Sequence, residues 1–419
     1  MTESFDANAR PGRLAKLRGS WLSVIGILAW SVWTIGILIT VLNAVRKIEA
    51  EGVVHIALGE YLHFIDAFWS GGALYLPDSL VGFHYLPIML VVFTPLSWIS
   101  APLAAGALGL VSAVFFAFSV YRLAREIVPE RPAITAGLLL VVCEMAAVIS
   151  LSLMHVQLLM VGAMICAAVA GMQGRWRAFA IWITLAIALK PLSIVMALLA
   201  AAIVPQTRLP LFLGVVVLVF SPFAVRDWFY LSTQYADYVR QLLFITNAGP
   251  GAWHLQADFS TLFKTVGFEI DARVRFAIRA IAAFCTLALV WRVAALQNAR
   301  ATGFALLILS SCYIGLFNPK QEIFSFIVVV PAIAALGVIM LARDISDWRG
   351  WLWFALVLDL SMRWGMRSGP WMYPAAMVLV WAGLLALLGN PQRWGDLLSK
   401  DSKLPANLQL LSDTDPLRS

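Results

Sequence analysis

An all-α integral membrane protein is the fold class this sequence predicts, and three observations predict it. Hydrophobic residues make up 61% of the 419. Charged residues make up 13%, about half the share of a soluble domain. The apolar residues fall in recurring runs, many of which approach the roughly 20 residues a helix needs to cross a bilayer. Lipid offers no partner to a bare backbone, so single crossings must be helices. The net charge of +7 is scattered over short loops, which argues against a nucleic-acid partner.

Taken in order, residues 1–20, "MTESFDANARPGRLAKLRGS", are polar and basic and read as a cytoplasmic segment. The apolar run that follows is too long for a signal-peptide core, which makes it a retained first helix. Residues 21–388 form one membrane domain, with apolar segments near 21–43, 85–100, 102–121, 134–152, 154–172, 178–190, 191–204, 209–224, 274–297, 302–317, 322–342, 349–362 and 371–388. Segment 85–100 is short and carries Pro87 and Pro95, which break helices. If it crossed, the basic loops around Arg122, Arg125 and Arg131 and around Arg175 and Arg177 would fall outside. If it is a juxtamembrane or re-entrant piece, those loops join Arg10, Arg13, Lys16, Arg18, Arg208, Arg300, Arg343 and Arg349 in the cytoplasm, as the positive-inside rule requires. That choice gives about twelve spanning helices with both termini inside. Residues 389–419 are a polar cytoplasmic tail, expected to be loose. Cys143, Cys166, Cys285 and Cys312 sit in apolar runs and read as small buried hydrophobes.

The same topology places His55, His63, His84, His155 and His254 at or near the extracytoplasmic side, with Lys190, Lys320, Arg363 and Arg367. Two outer stretches, within 45–100 and 225–272, carry helices expected to lie in the interface with an apolar stripe in lipid. One stripe is Leu58, Leu62, Ile65 and Trp69; the other is Trp228, Leu231, Tyr235, Tyr238 and Leu242. In the first helix Glu60, His63 and Asp66 follow one another at i,i+3 and share the polar face. A carboxylate there can serve as a general base toward a hydroxyl, and nearby cations can hold an anionic leaving group. An interfacial helix also needs a polar face for purely structural reasons, and spacing does not separate the two readings. Glu144 stands mid-span with no charged neighbour at helical spacing. No residue set has metal-ligand spacing, and no cofactor is expected.

Several short motifs, in order, resemble glycosyltransferase family 87 of the GT-C superfamily. "SGGALY" (70–75) is similar to its G-x-x-L-Y, and "FHYLP" (83–87) to its F-x-Y-P-P. "MHVQLLMV" (154–161) resembles G-Q-x-N-L-L, with Gln157 near the matching position. "IALKPLSIVMALL" (187–199) resembles A-x-K-x-x-P at Lys190-Pro191, and "FNPKQEIFSF" (317–326) more weakly resembles S-P-x-S-W-x-H. The likeness runs from the first helix to about residue 345.

The resemblance implies a GT-C-type helical fold with the active site at the outer membrane surface. It implies transfer of a sugar, mannose in many members, from a polyprenyl-phosphate donor to a lipid or glycan acceptor, with inversion. Glu60 is then the first candidate base and Asp66 the second. Lys190 would bind the donor phosphate with support from His84, Arg363 and Arg367. His63, Tyr85, His155, Gln157, Trp253, His254, Lys320 and Gln321 would line the substrates. One departure stands out: the family's catalytic Asp falls near Ala57, which has no carboxylate. Either Glu60 has taken that role one turn on, or the register differs by a few residues, or the chain is not a transferase. A lipid flippase or solute transporter and a catalytically silent scaffold are the rival readings. The flippase reading lacks the paired broken segments of inverted repeats.

Overall fold

The computed structural model describes residues 13–52, 57–80, 82–247, 256–361, 369 and 371–398. Its helices are α1 (Arg13–Glu51), α2 (Ala57–Ser70), α3 (Pro87–Phe93), α4 (Ala101–Ile127), α5 (Pro132–Ser152), α6 (Gln157–Met172), α7 (Trp176–Leu189), α8 (Ile194–Ile203), α9 (Pro205–Phe220), α10 (Trp228–Asn247), α11 (Phe259–Thr265), α12 (Ala272–Ala294), α13 (Ala299–Phe317), α14 (Val330–Arg343), α15 (Trp348–Ser361), α16 (Met372–Leu388) and α17 (Pro391–Leu397). Among the described residues no strand forms; one isolated bridge joins Gln256 to Glu322.

Among the described residues six helices are long and apolar enough to cross a membrane, and the bent pair α16–α17 makes a seventh candidate. Several of the expected crossings are shorter apolar helices: Gln157–Met172, Trp176–Leu189, Pro191–Ile203 and Val330–Arg343. Each break has a sequence cause. Pro191 disfavours helical backbone at the residue before it, and Lys190 is extended (φ −155°, ψ 121°). The expected segment 322–342 is likewise divided into a 3-10 turn, Ile323–Val328, and α14, which carries Pro331 in its first turn. Pro87–Trp98 is α3 followed by a 3-10 turn, Thr94–Trp98, short of a crossing length.

The core is built on α6 and α13. Both are apolar all round, and nearly every residue of each is buried. α6 packs on α4, α7 and α13, α1 runs along α5, and α14 lies on α15. The rim is greasy: Ile27 and Leu28 of α1, Phe212 and Val217 of α9, and Phe276 and Phe284 of α12 are exposed, as lipid-facing surfaces require. Two close approaches depend on glycine. Gly303 of α13 lies on the α6 backbone, where an added Cβ would stand 2.7 Å from the Gly171 carbonyl carbon and 2.9 Å from the Ala168 oxygen. Gly36 of α1 makes room for the Glu144 carboxylate of α5. Main chain cannot step aside as a side chain does. Gly303→Ala is therefore expected to cost about 1–3 kcal/mol of stability, read as a lower unfolding midpoint in detergent; an unchanged midpoint would refute the contact.

The connections sort to two ends. At one end Arg300 donates to the Glu126 carbonyl, Gln173 donates to the Glu126 carboxylate, and Arg343 donates to the Asp396 carbonyl. At the other end α2, α3, α10, the turn 153–156, Lys190 and the turn 318–322 meet. The start of the polar tail is not loose. Trp394 of α17 is fully buried, stacks on Phe304 and donates its indole N–H to the Ala301 carbonyl 3.2 Å away. One tryptophan in a polar stretch is enough to dock it, and hydropathy averaging hides that. Cys143, Cys166 and Cys312 are buried as expected, but Cys285 is exposed on α12, a rim helix with lipid-facing positions.

Candidate functional site

The α2 helix begins where the Ala57 N–H donates to the Leu153 carbonyl (2.9 Å), tying it to the α5–α6 turn. Its buried face is Ala57, Leu58, Tyr61, Phe64, Ile65 and Phe68. This corrects the expected stripe: Leu58 and Ile65 pack inside the protein, while Trp69 is partly exposed and donates to the Thr94 hydroxyl (2.9 Å). α10 differs in the same way. It buries Leu231, Gln234, Tyr238, Gln241 and Ile245, and leaves Trp228 and Leu242 exposed. The physical reason is that both helices cover polar main chain as well as apolar surface. Gln234 accepts the Leu74 N–H (2.7 Å), Tyr230 donates to the Gly72 carbonyl (2.9 Å), and Arg226 donates to the Trp69 carbonyl (3.2 Å).

Tyr61 anchors α2 within the site. Its hydroxyl pairs with that of Tyr85 at 3.1 Å and accepts the Val156 N–H at 3.4 Å. Tyr75 donates to the Tyr85 carbonyl at 2.7 Å. With Tyr61 turned inward, Glu60, His63 and Asp66 remain on the exposed side of α2.

Glu60 faces charge from the far end of the chain. Burial raises its carboxyl above the ordinary range, Lys320 opposes that rise, and Glu322 adds to it. Lys320 is held down to about 8 by burial first, with Glu322 and Glu60 opposing and Lys190 adding to the fall. Burial also lowers Lys190, against the pull of Glu322. His84 and His155 are each pushed down to about 3, chiefly by burial and further by Lys320 and Lys190, so both rings are neutral at physiological pH. The Lys320 ammonium (2.9 Å) and His84 Nε2 (3.2 Å) converge on the Leu80 carbonyl. A carbonyl accepts only, so His84 carries its proton on Nε2 and presents Nδ1 as an acceptor. Gln157, fully buried, donates to the Ser325 hydroxyl at 2.7 Å, and its own oxygen has no partner among the described residues. The buried Gln321 side chain likewise has neither polar atom paired among the described residues.

The structure thus brings together Glu60, Tyr85, His84, His155, Lys190 and Lys320, with Gln157 and Gln321 on the neighbouring turns. It leaves His63 and Asp66 on the exposed flank of α2. Trp253, His254, Arg363 and Arg367 lie outside the described residues.

Sequence reasoning missed two features. One is Glu322, which faces both lysines. The other is an ion pair that ties the stretch after α10 to α12: Arg279 donates to Asp258 at 2.9 Å, with Asp258 fully buried, bonded by the Ser260 hydroxyl (2.6 Å), and with Arg279 over the Phe259 ring. Beside it the Ala257 N–H donates to the Gln321 carbonyl at 2.8 Å, which fixes the 318–322 turn. Removing one partner of a buried pair leaves an uncompensated charge. Arg279→Met is expected to cost about 3–5 kcal/mol, and adding Asp258→Asn is expected to recover part of that loss. Thermal unfolding of Arg279→Met, Asp258→Asn and the double variant checks it; purely additive losses would refute the pairing.

Residues 83–319, more than half of the chain, match a family model described as Glycosyltransferase family 87. No curated protein matches the chain. The matched stretch includes His84, His155, Gln157 and Lys190, starts after α2 and ends one residue before Lys320.

Proposed function

The chain belongs to glycosyltransferase family 87, a family of membrane glycosyltransferases, and from that premise we propose its particular reaction. It moves a sugar, in our reading mannose, from a polyprenyl-phosphate carrier to a hydroxyl of a lipid-linked or glycan acceptor. The site faces the extracytoplasmic side of the cell membrane, with both termini in the cytoplasm. The observation that carries this reading is the gathering of two carboxylates, Glu60 and Glu322, and two ammonium groups, Lys190 and Lys320, at one end of the bundle, with Glu60 acting on Lys320 and Glu322 on both lysines. The basic loops gather at the other end, the arrangement the positive-inside rule expects of that orientation.

In this mechanism Glu60 takes the proton of the acceptor hydroxyl, and the hydroxyl oxygen bonds to the sugar C1. The C1–O bond to phosphate breaks on the opposite face, which inverts the anomeric centre. Partial burial against the neighbouring turns raises the Glu60 carboxyl above its ordinary range, the direction that makes a carboxylate a stronger base. The leaving polyprenyl phosphate gains a negative charge, and Lys190 and Lys320 stabilise it. His84 is better placed for the sugar than for the phosphate, because its free nitrogen accepts and a phosphate offers no donor. Gln157 and Gln321 hold unpaired amide atoms for sugar hydroxyls.

Purified protein in lipid, given labelled polyprenyl-phosphate mannose and a membrane-lipid extract, separates the readings. A transferase forms a new glycoside, a flippase moves the donor unchanged, and a scaffold does neither.

A further inference from the structure

Gln234 and Gln241 stand two turns apart on the buried face of α10, with Tyr238 between them, yet they end differently. Gln234 accepts the Leu74 N–H at 2.7 Å and so seals main chain. Gln241 is fully buried, and neither its oxygen nor its nitrogen has a partner among the described residues. A buried amide left unpaired is costly, and native proteins keep few of them.

The loop 80–85 lies against this amide. Gly82, at φ +117°, brings bare main chain to it: a Cβ there would already touch the Gln241 Nε2 at 3.7 Å. Phe83 is packed among the rings of Phe64, Tyr75 and Tyr85. Tyr75 in turn packs on Tyr238, with ring centroids 5.0 Å apart, so loop and helix are held together one turn before Gln241. His84 follows Phe83. Its Nε2 and the Lys320 ammonium share the Leu80 carbonyl, at 3.2 and 2.9 Å, and its Nδ1 is buried without a partner among the described residues.

We propose that Gln241 and His84 together read one hydroxyl of the transferred sugar, which makes Gln241 a specificity-determining residue of the site. This rests on the reading of the chain as a transferase that takes its sugar from a polyprenyl-phosphate donor. With its proton on Nε2, His84 can only accept at Nδ1, whereas the Gln241 Nε2 can only donate. Those are the two roles a hydroxyl needs opposite it: it donates its proton to Nδ1 and accepts an amide N–H on its oxygen. The Gln241 Oε1 is then left to accept from a neighbouring hydroxyl of the ring. Lys320 holds the carbonyl that orients His84, so the hydroxyl reader and a phosphate ligand share one loop. A sugar lacking that hydroxyl leaves the amide and Nδ1 unpaired away from water, and sites built this way discriminate far more strongly than apolar fit does.

The test gives the full chain in nanodiscs labelled polyprenyl-phosphate mannose and a set of donors that each lack one hydroxyl of the sugar, with a membrane-lipid extract as acceptor. Comparing each variant with wild type donor by donor cancels the intrinsic reactivity of each sugar. Gln241→Met is expected to lower kcat/KM roughly 10–100-fold for donors that keep the hydroxyl, and less than about threefold for the one donor that lacks it. His84→Leu is expected to spare the same donor. Lys190→Met, acting on the phosphate, lowers all donors alike. Because the amide is unpaired in the free protein, Gln241→Met is also expected to leave the unfolding midpoint unchanged or raised. A uniform loss or no change with Gln241→Met, different donors spared by the two variants, or a lowered midpoint without selective loss overturns the proposal and leaves the donor reading in place. If wild type forms no glycoside from any of these donors, the donor reading fails and takes this one with it.

Discussion

Glu60→Gln is expected to lower glycoside formation by roughly 10²–10⁴-fold while leaving donor binding near the wild-type value. Glutamine keeps the size and hydrogen-bonding reach of the side chain and removes its ability to take a proton. α2 itself is held by Tyr61, Phe64, Ile65 and Phe68 on the opposite face, so its position does not depend on the carboxylate. Asp66→Asn, three residues further along the exposed flank than His63, is expected to stay close to wild type. A loss on Asp66→Asn with full activity of Glu60→Gln would overturn the assignment of the base. Ala57→Asp is not expected to rescue Glu60→Gln. Position 57 is 7% exposed, with its N–H committed to the Leu153 carbonyl, and a carboxylate there would meet packed side chains.

The second large effect concerns Lys190. A charge-assisted contact to phosphate contributes about 1.5–3 kcal/mol, so Lys190→Met is expected to weaken donor binding by roughly 10–150-fold. A rise in KM for donor with a smaller fall in kcat means the ammonium acts on the bound donor. Equal falls in kcat and kcat/KM place its work in the transition state, on the leaving phosphate. Unchanged kinetics would leave Lys190 as a side chain reaching for the interface and remove it from the site. Because His84 and His155 are neutral down to about pH 3, neither is expected to contribute an acid limb near pH 6.5 to donor binding.

Local pattern carried some of this and not the rest. Apolar run length located the helices, because burial in lipid is written into consecutive residues. Lys190 was legible from Pro191, which ends α7 and turns the lysine out of the helix. Glu60 was legible from its i,i+3 neighbours, though spacing did not show that it faces Lys320. Glu322 was not legible: it follows Lys320 by two residues in a stretch that reads as the start of an apolar segment. Its significance comes from Lys190, far away in the chain. The Asp258–Arg279 pair was hidden for the same reason, as was the docking of Trp394 on Phe304. The apolar stripes of α2 and α10 were read for the wrong neighbour. Period alone says that a helix has a face to cover, not whether lipid or protein covers it.

The Lys320–Leu80 hydrogen bond spans 240 residues. Chains grow at about 5–20 residues per second, so roughly ten to fifty seconds separate the synthesis of its two partners. During that interval α2 is already made, and Lys190 is made well before Glu322, the anion it will face. The spans can be threaded into the bilayer one after another, but the end of the bundle that holds α2 waits for the turn 318–322 to emerge. Biogenesis therefore has a late closing event, and a half-made chain carries the Lys190 ammonium without Glu322 until that turn arrives. Interrupting synthesis before residue 320 should leave α2 open to added protease, while the finished protein protects it.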